Sequence, residues 1–238
     1  MKKILITAPL RQETDIFLEY QKGLDALEIP EGYAVSRFFV VNDCPEILPY
    51  IRNAEYCVMD KGDTYEKTGN DHKWTPELMR KMSGLRNRTI EEMLAYGFDY
   101  WLSIDTDVIA DPRTLRTLIE ADRDIVSEIF WTQHWCNAWE YDQYSPPREE
   151  WREPGLYRCG MTGACTLVRR KVFENGVDYT PIPNIRNALR GEDRHFCVRA
   201  ACAGFGMWID THCPATHLYT RDEYNDYMAR RRETCLQK

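Results

Sequence analysis

Nowhere in the 238 residues is there an apolar run approaching the ~20 that a membrane-spanning helix needs. A soluble protein is predicted, with only peripheral membrane attachment left open. The apolar start, Met1-Lys2-Lys3-Ile4-Leu5-Ile6, is interrupted at Pro9 and Arg11, too soon for the apolar region of a secretory leader. No C-x-x-C pair occurs among the nine cysteines. An odd count without paired spacing fits neither a disulfide framework nor a thiolate zinc site, and predicts reduced core thiols in a cytoplasmic protein. Excess positive charge is lacking as well. The formal net charge is −7, which argues against a nucleic-acid backbone as the main partner. Arg230-Arg231-Arg232 is the local exception and reads as a solvated helix face. Low-complexity tracts, internal repeats and linkers are absent too, so the chain reads as one domain.

What is present suits that reading. A 43% hydrophobic share is enough for a substantial core at this length. Lys3 to Ala8 reads as a buried strand ended by Pro9, and Ile16, Phe17, Tyr20, Leu24 and Leu27 then recur at helical spacing. Val35 to Asn42 and Tyr56 to Asp60 follow as strands. Thr75 is placed to cap a helix with Pro76 in its first turn, a buried stripe at Leu78, Met82, Leu85 and Met93, and a stop at Gly97. Tyr100 to Ile104 is the central strand, Asp111-Pro112 opens another helix, and Ile125 to Trp131 is a strand. This alternation over residues 1–131 predicts a parallel, doubly wound sheet. Residues 132–158 read as a long structured loop, Thr162 to Arg170 as a strand, 191–204 as a helix, Met207 to Asp210 as a strand and Asp222 to Cys235 as a terminal helix.

The strongest chemical signal is Tyr100-Trp101-Leu102-Ser103-Ile104-Asp105-Thr106-Asp107, an apolar strand ending in two acids at alternate positions. In an extended chain that spacing points both carboxylates the same way. The carboxyl edge of a parallel sheet is where open α/β folds place ligands. Hard divalent cations such as Mg²⁺ or Mn²⁺ take carboxylate, water and phosphate oxygens, so the pair suits a metal that clamps a diphosphate. A solvated acidic turn gives the same pattern. Gly191-Glu192-Asp193 precedes a helix, where acids also serve as dipole-favoured caps. Gly160-Met161-Thr162-Gly163-Ala164-Cys165 puts two glycines at a strand start, where backbone can approach a ligand. His212 and His217 follow a late strand. Trp131, Trp135 and Trp139 recur every four residues; on a helix they would share one face, as core packing or as a platform for a sugar.

The order and spacing of these elements resemble the shared core of GT-A glycosyltransferases, closest to the inverting, family-2-like branch. The resemblance covers nearly the whole chain. It implies a single α/β domain over residues 1–238, with a Rossmann-like, mostly parallel central sheet flanked by helices. Residues 1–131 would form the nucleotide-binding half and 132–238 the acceptor-binding half. By the same resemblance Asp105 and Asp107 meet the donor ribose and the metal, Thr106 lies with them on the donor side, and His217, or else His212, completes the metal shell. Gly163 and Ala164 resemble the loop beneath the acceptor; Trp135 and Trp139 are candidates for acceptor binding from their spacing alone. Asp193 resembles the catalytic base, and Glu192 an orienting acid. Thr7, Pro9, Glu13 and Asp43 look like the nucleotide turn, although Val41-Asn42-Asp43-Cys44 replaces the usual acid-acid-glycine-serine run. Arg86 and Asn87 resemble the Arg-Asn pair ahead of D-x-D.

The implied activity is Mn²⁺- or Mg²⁺-dependent transfer of a sugar, with inversion, from a nucleoside-diphosphate sugar of the UDP type to an acceptor hydroxyl. The acceptor itself (glycan, lipid, peptide, metabolite or modified nucleobase) and the oligomeric state stay open. Two rivals are carried forward. Asp105-Thr106-Asp107-Val108 imitates the nucleophile motif of haloacid-dehalogenase-type phosphatases, though there the motif follows the first strand. A catalytically silent nucleotide-sugar or glycan-binding module is the other.

Overall fold

In the computed structural model, which describes residues 1–60, 62, 67–68, 71–72, 74–132, 135–183, 185 and 189–236, the first apolar run becomes the middle of a nine-stranded sheet. Lys2–Leu10 (β1) is inaccessible from Ile4 to Ala8, the burial of a strand covered on both faces. Thr14–Asp25 (α1) turns Phe17, Tyr20 and Leu24 onto it. Tyr33–Val41 (β2) pairs in parallel with β1, and Glu55–Val58 (β3) with β2, leaving β3 at the edge. A short ribbon, Lys67–Thr68 (β4) and Asp71–His72 (β5), precedes Pro76–Ala95 (α2). The Thr75 hydroxyl accepts the Leu78 N–H and Pro76 occupies the first turn, so α2 begins where the capping residues dictate. Tyr100–Ser103 (β6) lies parallel to β1 on its other side. Beyond it come Val108–Ile109 (β7), Thr114–Glu120 (α3) and Ile125–Phe130 (β8).

The second half fills a gap left by the first. Ala138–Trp139 (β9), Leu156–Cys159 (β10) and Met161–Thr162 (β11) come next, β9 and β11 forming a small antiparallel sheet. Thr166–Arg169 (β12) then enters antiparallel between β6 and β8 and runs into Arg170–Glu174 (α4). After Glu192–Cys202 (α5), Met207–His217 (β13) runs parallel to β8, takes β10 on its other edge and pairs its far end with β7. Arg221–Leu236 (α6) ends the described chain. The sheet order is β10-β13-β8-β12-β6-β1-β2-β3, parallel from β6 to β3 and again between β8 and β13. Two apolar clusters fill its faces, one around Phe17, Tyr20 and Phe39 and the other around Trp101, Trp151 and Phe196.

Three expectations need correcting. The single strand expected over Thr162–Arg170 is two, because residues 163–165 turn, with Cys165 at φ +61°, to pass from the small sheet to the large one. The strand expected to stop at Asp210 continues past a bulge to His217. The helical face of Trp131, Trp135 and Trp139 does not form. Thr132 N–H donates to the Trp135 carbonyl and Trp135 N–H to the Thr132 hydroxyl, Trp131 bridges Cys136, and Trp139 lies in β9. Asn137 locks this return with hydrogen bonds to the Glu128 and Ala164 carbonyls. No helix among the described residues is long and apolar enough to cross a membrane, and the cysteines described are free thiols, most of them buried.

Candidate active site

The carboxyl ends of β1, β2 and β6 open onto a cavity of about 300 Å³ walled by Pro9, Asn42, Asp105 and Asp107 from this side and by Asp193 and His217 from the other. Residues 105–107 are not extended, so the alternation argument does not apply as it stands. Asp105 C=O accepts the Val108 N–H, closing a tight turn, and Asp107 C=O accepts the Leu218 N–H at 2.7 Å, tying that turn to the residue after β13. The two carboxylates consequently meet different partners.

Asp105 faces Arg86. This arginine, on α2 and 3% exposed, donates to both Asp105 oxygens at 3.0 Å, to the Ser103 hydroxyl at 3.0 Å and to Glu192 Oε1 at 2.7 Å. Its Nε also lies 3.7 Å from Asp193 Oδ1. Burial works against the guanidinium charge, but Asp105, Asp193 and Glu192 outweigh it and push its pKa well above the ordinary value. Asp107 faces His217, with Oδ2 3.7 Å from Nε2. Pairing of β7 with the end of β13 sets Val108 opposite His217 and so brings the two together. The imidazole is stacked on Phe130 and Tyr219, and its Nδ1 is buried without a hydrogen-bond partner among the described residues. Burial disfavours its charge, while the nearby Asp107 carboxylate outweighs it and raises the pKa overall.

Asp193 stands in the first turn of α5, behind Gly191, whose φ of +92° suits glycine. Burial first, then the Glu192 charge, push Asp193 up to about 7, with Arg86 and Arg194 pulling the other way. Gly163 gives the carboxylate room: a Cβ there would lie 3.2 Å from Asp193 Oδ2. Ala164 lines the cavity beside it. Glu192 is almost wholly buried, with Oε1 on Arg86 and Oε2 lacking a partner among the described residues.

Other expected residues fall elsewhere. Thr7 and Thr106 are buried and do not line the cavity. Glu13 precedes α1 and pairs with Arg221. Asp43 accepts Lys81 Nζ at 2.8 Å and the Gly62 N–H, so Asn42 and Lys81 form the wall in its place. Asn87 binds the Tyr179 N–H and Thr180 hydroxyl and shapes a neighbouring loop. His212 is half exposed and lies on Asp210. Trp139 is buried under Arg194, and Trp135 is partly buried against the second apolar cluster. Sequence reading missed Arg11, Trp74 and Lys81 on the cavity wall; Lys81 was findable, as a lysine on the same helical face as Leu78, Met82 and Leu85.

No protein-family model and no curated protein sequence matches the chain. Solved structures do. The S. aureus TarS 1–349 fragment in complex with UDP-GlcNAc superposes with a TM-score of 0.55 at 11% identity, over 90% of this chain and 57% of that one. The catalytic domain of Drosophila beta1,4-galactosyltransferase 7 in complex with xylobiose gives 0.53 at 15% identity, over 93% and 72%. A variant of the latter enzyme with manganese, UDP-Gal and xylobiose gives 0.52 at 15%, over 94% and 74%. The fold is GT-A. Within the GT-A sheet, the cavity occupies the carboxyl edge that open α/β folds use for ligands. The chain spans 57% of the TarS fragment's length.

Proposed function

We propose that the protein is a metal-dependent glycosyltransferase that moves a sugar from a nucleoside-diphosphate sugar, of the UDP type, to an acceptor hydroxyl with inversion. One observation carries this reading: a single cavity gathers a carboxylate–imidazole pair, Asp107 and His217, and a carboxyl poised near neutrality, Asp193. The pair fits Mn²⁺ or Mg²⁺. It offers one oxygen and one nitrogen donor, and such ions complete their shell with waters and substrate phosphates. Asp105, with each oxygen bonded to Arg86, is assigned to the donor ribose. When bound, the metal supplies Lewis-acid charge for the departing diphosphate.

The chain's own groups supply the rest. Asp105 oxygens, each with one bond from Arg86, retain acceptor capacity that suits ribose hydroxyls. Pro9, Asn42, Lys81 and Arg11 face the nucleotide. Leu78, Met82, Leu85 and Phe130 line the cavity and keep bulk water from the sugar. Asp193 removes the acceptor hydroxyl proton as that oxygen attacks the anomeric carbon, and a single base acting directly on the acceptor gives inversion. Glu192 holds Arg86 in place. Gly163 and Ala164 form the acceptor side.

The test is incubation with a panel of UDP-sugars and Mn²⁺, following UDP release and the anomeric configuration of the product. Metal-dependent melting-point rises with selected donors are expected, since a selective ligand stabilises the folded state. Release of phosphate from phosphomonoesters would favour the phosphatase, which needs Asp105 free as a nucleophile. Tight donor binding with neither hydrolysis nor transfer would favour a silent binding module.

A further inference from the structure

Arg86 alone is a poor custodian for the base. It makes hydrogen bonds to Asp105 and Glu192 and reaches Asp193 only at 3.7 Å. Three acids thus share one cation, and Asp193 has the longest contact. A second cation lies near the other carboxylate oxygen. The Arg194 guanidinium carbon sits over the Trp139 ring, 3.8 Å from its centroid, and Nη1 is 3.8 Å from Asp193 Oδ2. Its Nε is buried and has no hydrogen-bond partner among the described residues, so the ring and the carboxylate are what hold it. Trp139 is fixed in turn by β-pairing with Met161 and is 7% exposed, buried too far to offer a sugar a stacking face.

We propose that Arg194 is a positioning residue for Asp193: pinned on Trp139, its guanidinium keeps the carboxylate aimed into the cavity and supplies the charge that Arg86 divides among three acids. Trp139 then serves the base through Arg194 and does not itself stack on the acceptor. A guanidinium over an indole is a rigid, directional support that lysine reproduces only in charge. The other groups acting on Asp193 are Arg86 from α2, Asp105 beyond β6, Glu192 and Cys197 from α5, and Tyr179 from the loop above. None of these changes when Arg194 is replaced.

The inference rests on Asp193 being the base, but its test is independent of any sugar chemistry. Full-length protein labelled with [γ-¹³C]aspartate is titrated by NMR, and the Asp193 resonance is identified by its loss in Asp193→Asn. Arg194→Met is expected to raise the Asp193 midpoint by about one unit, a tenfold change in the proton equilibrium. Arg194→Lys should restore part of that shift. Trp139→Leu should move the midpoint in the same direction as Arg194→Met although Arg194 is still present. A midpoint unmoved in Arg194→Met, in a variant whose other aspartate signals match the native spectrum, overturns the proposal. So does an unmoved midpoint in Trp139→Leu, for the role given to the ring. Retained turnover in Asp193→Asn would remove the base assignment instead, whatever the titrations show.

Discussion

At Asp193 two forces compete, and their balance sets the working range of the proposed reaction. Burial and the neighbouring Glu192 favour the protonated acid; Arg86 and Arg194 favour the carboxylate; the outcome is a group that titrates at about 7. A general base works only when ionised. The kcat/KM for transfer should therefore rise with pH up to about 7, tenfold per unit on its acidic side, and level off above. Asp193→Asn is nearly isosteric and cannot take a proton, so kcat should fall by about 10²–10⁴ while calorimetry finds donor affinity unchanged. Glu192→Gln should cost less in turnover, since Glu192 acts through Arg86. The metal can be probed at the same scale. Asp107→Ala should abolish the Mn²⁺-dependent part of UDP binding. His217→Ala should weaken it, and His212→Ala should leave it intact, because His212 is turned toward Asp210. Full Mn²⁺-dependent binding by Asp107→Ala would remove that residue from the metal shell.

Elements were legible in the sequence wherever one local rule decided them. Thr75-Pro76 started α2, the apolar runs marked β1, β2, β6 and β8, and Gly191-Glu192-Asp193 announced α5. The misses have a common physical cause: partners distant in sequence decided them. Spacing alone made Trp131, Trp135 and Trp139 a helical face, but Asn137 bonds to the carbonyls of Glu128 and Ala164 and ties Trp139 into a strand instead. Arg86 was visible as one of a pair, yet its three acids come from two regions that only the fold brings together. The two loop glycines separate by what surrounds them. A Cβ at Gly160 would meet the Tyr141 carbonyl oxygen at 2.4 Å and that of Glu140 at 2.6 Å, whereas at Gly163 it meets the tip of Asp193. Gly160→Ala should therefore lower Tm, with a loss of roughly 1–3 kcal/mol. Gly163→Ala should keep Tm near native and slow turnover by displacing the base. Equal thermal losses in the two variants would contradict this division.

For the whole molecule, the most consequential acid lies outside the cavity. Glu128 on β8 is fully buried opposite Asp210 on β13, and burial followed by the Asp210 charge pushes its pKa up to about 9. The folded state thus holds a proton that the unfolded chain releases near 4.5. That contribution to stability is complete below about 4.5 and is lost as pH rises through about 9. Asp193 adds a similar slope between about 4 and 7. Tm should decline from pH 7 to 9, and Glu128→Gln should flatten the decline by presenting a neutral group at every pH. An unchanged slope in that variant would place the titrating group elsewhere.

The antiparallel insertion of β12 has a consequence for the order in which a ribosome delivers the chain. Once the first 130 residues have emerged, β1, β2, β3 and β6 can pair with one another. The place between β6 and β8 waits for Thr166–Arg169, and β8 gains its other neighbour only when β13 arrives. Such pairings across long sequence separations form slowly. Nascent chains arrested just after Phe130 should resist protease around β1 and β2 but remain unable to bind UDP with Mn²⁺. Binding should appear only in chains long enough to release Leu218, whose N–H holds the Asp107 carbonyl one position beyond His217. Donor binding is thus withheld until Leu218, far from Asp107 in sequence, has left the ribosome.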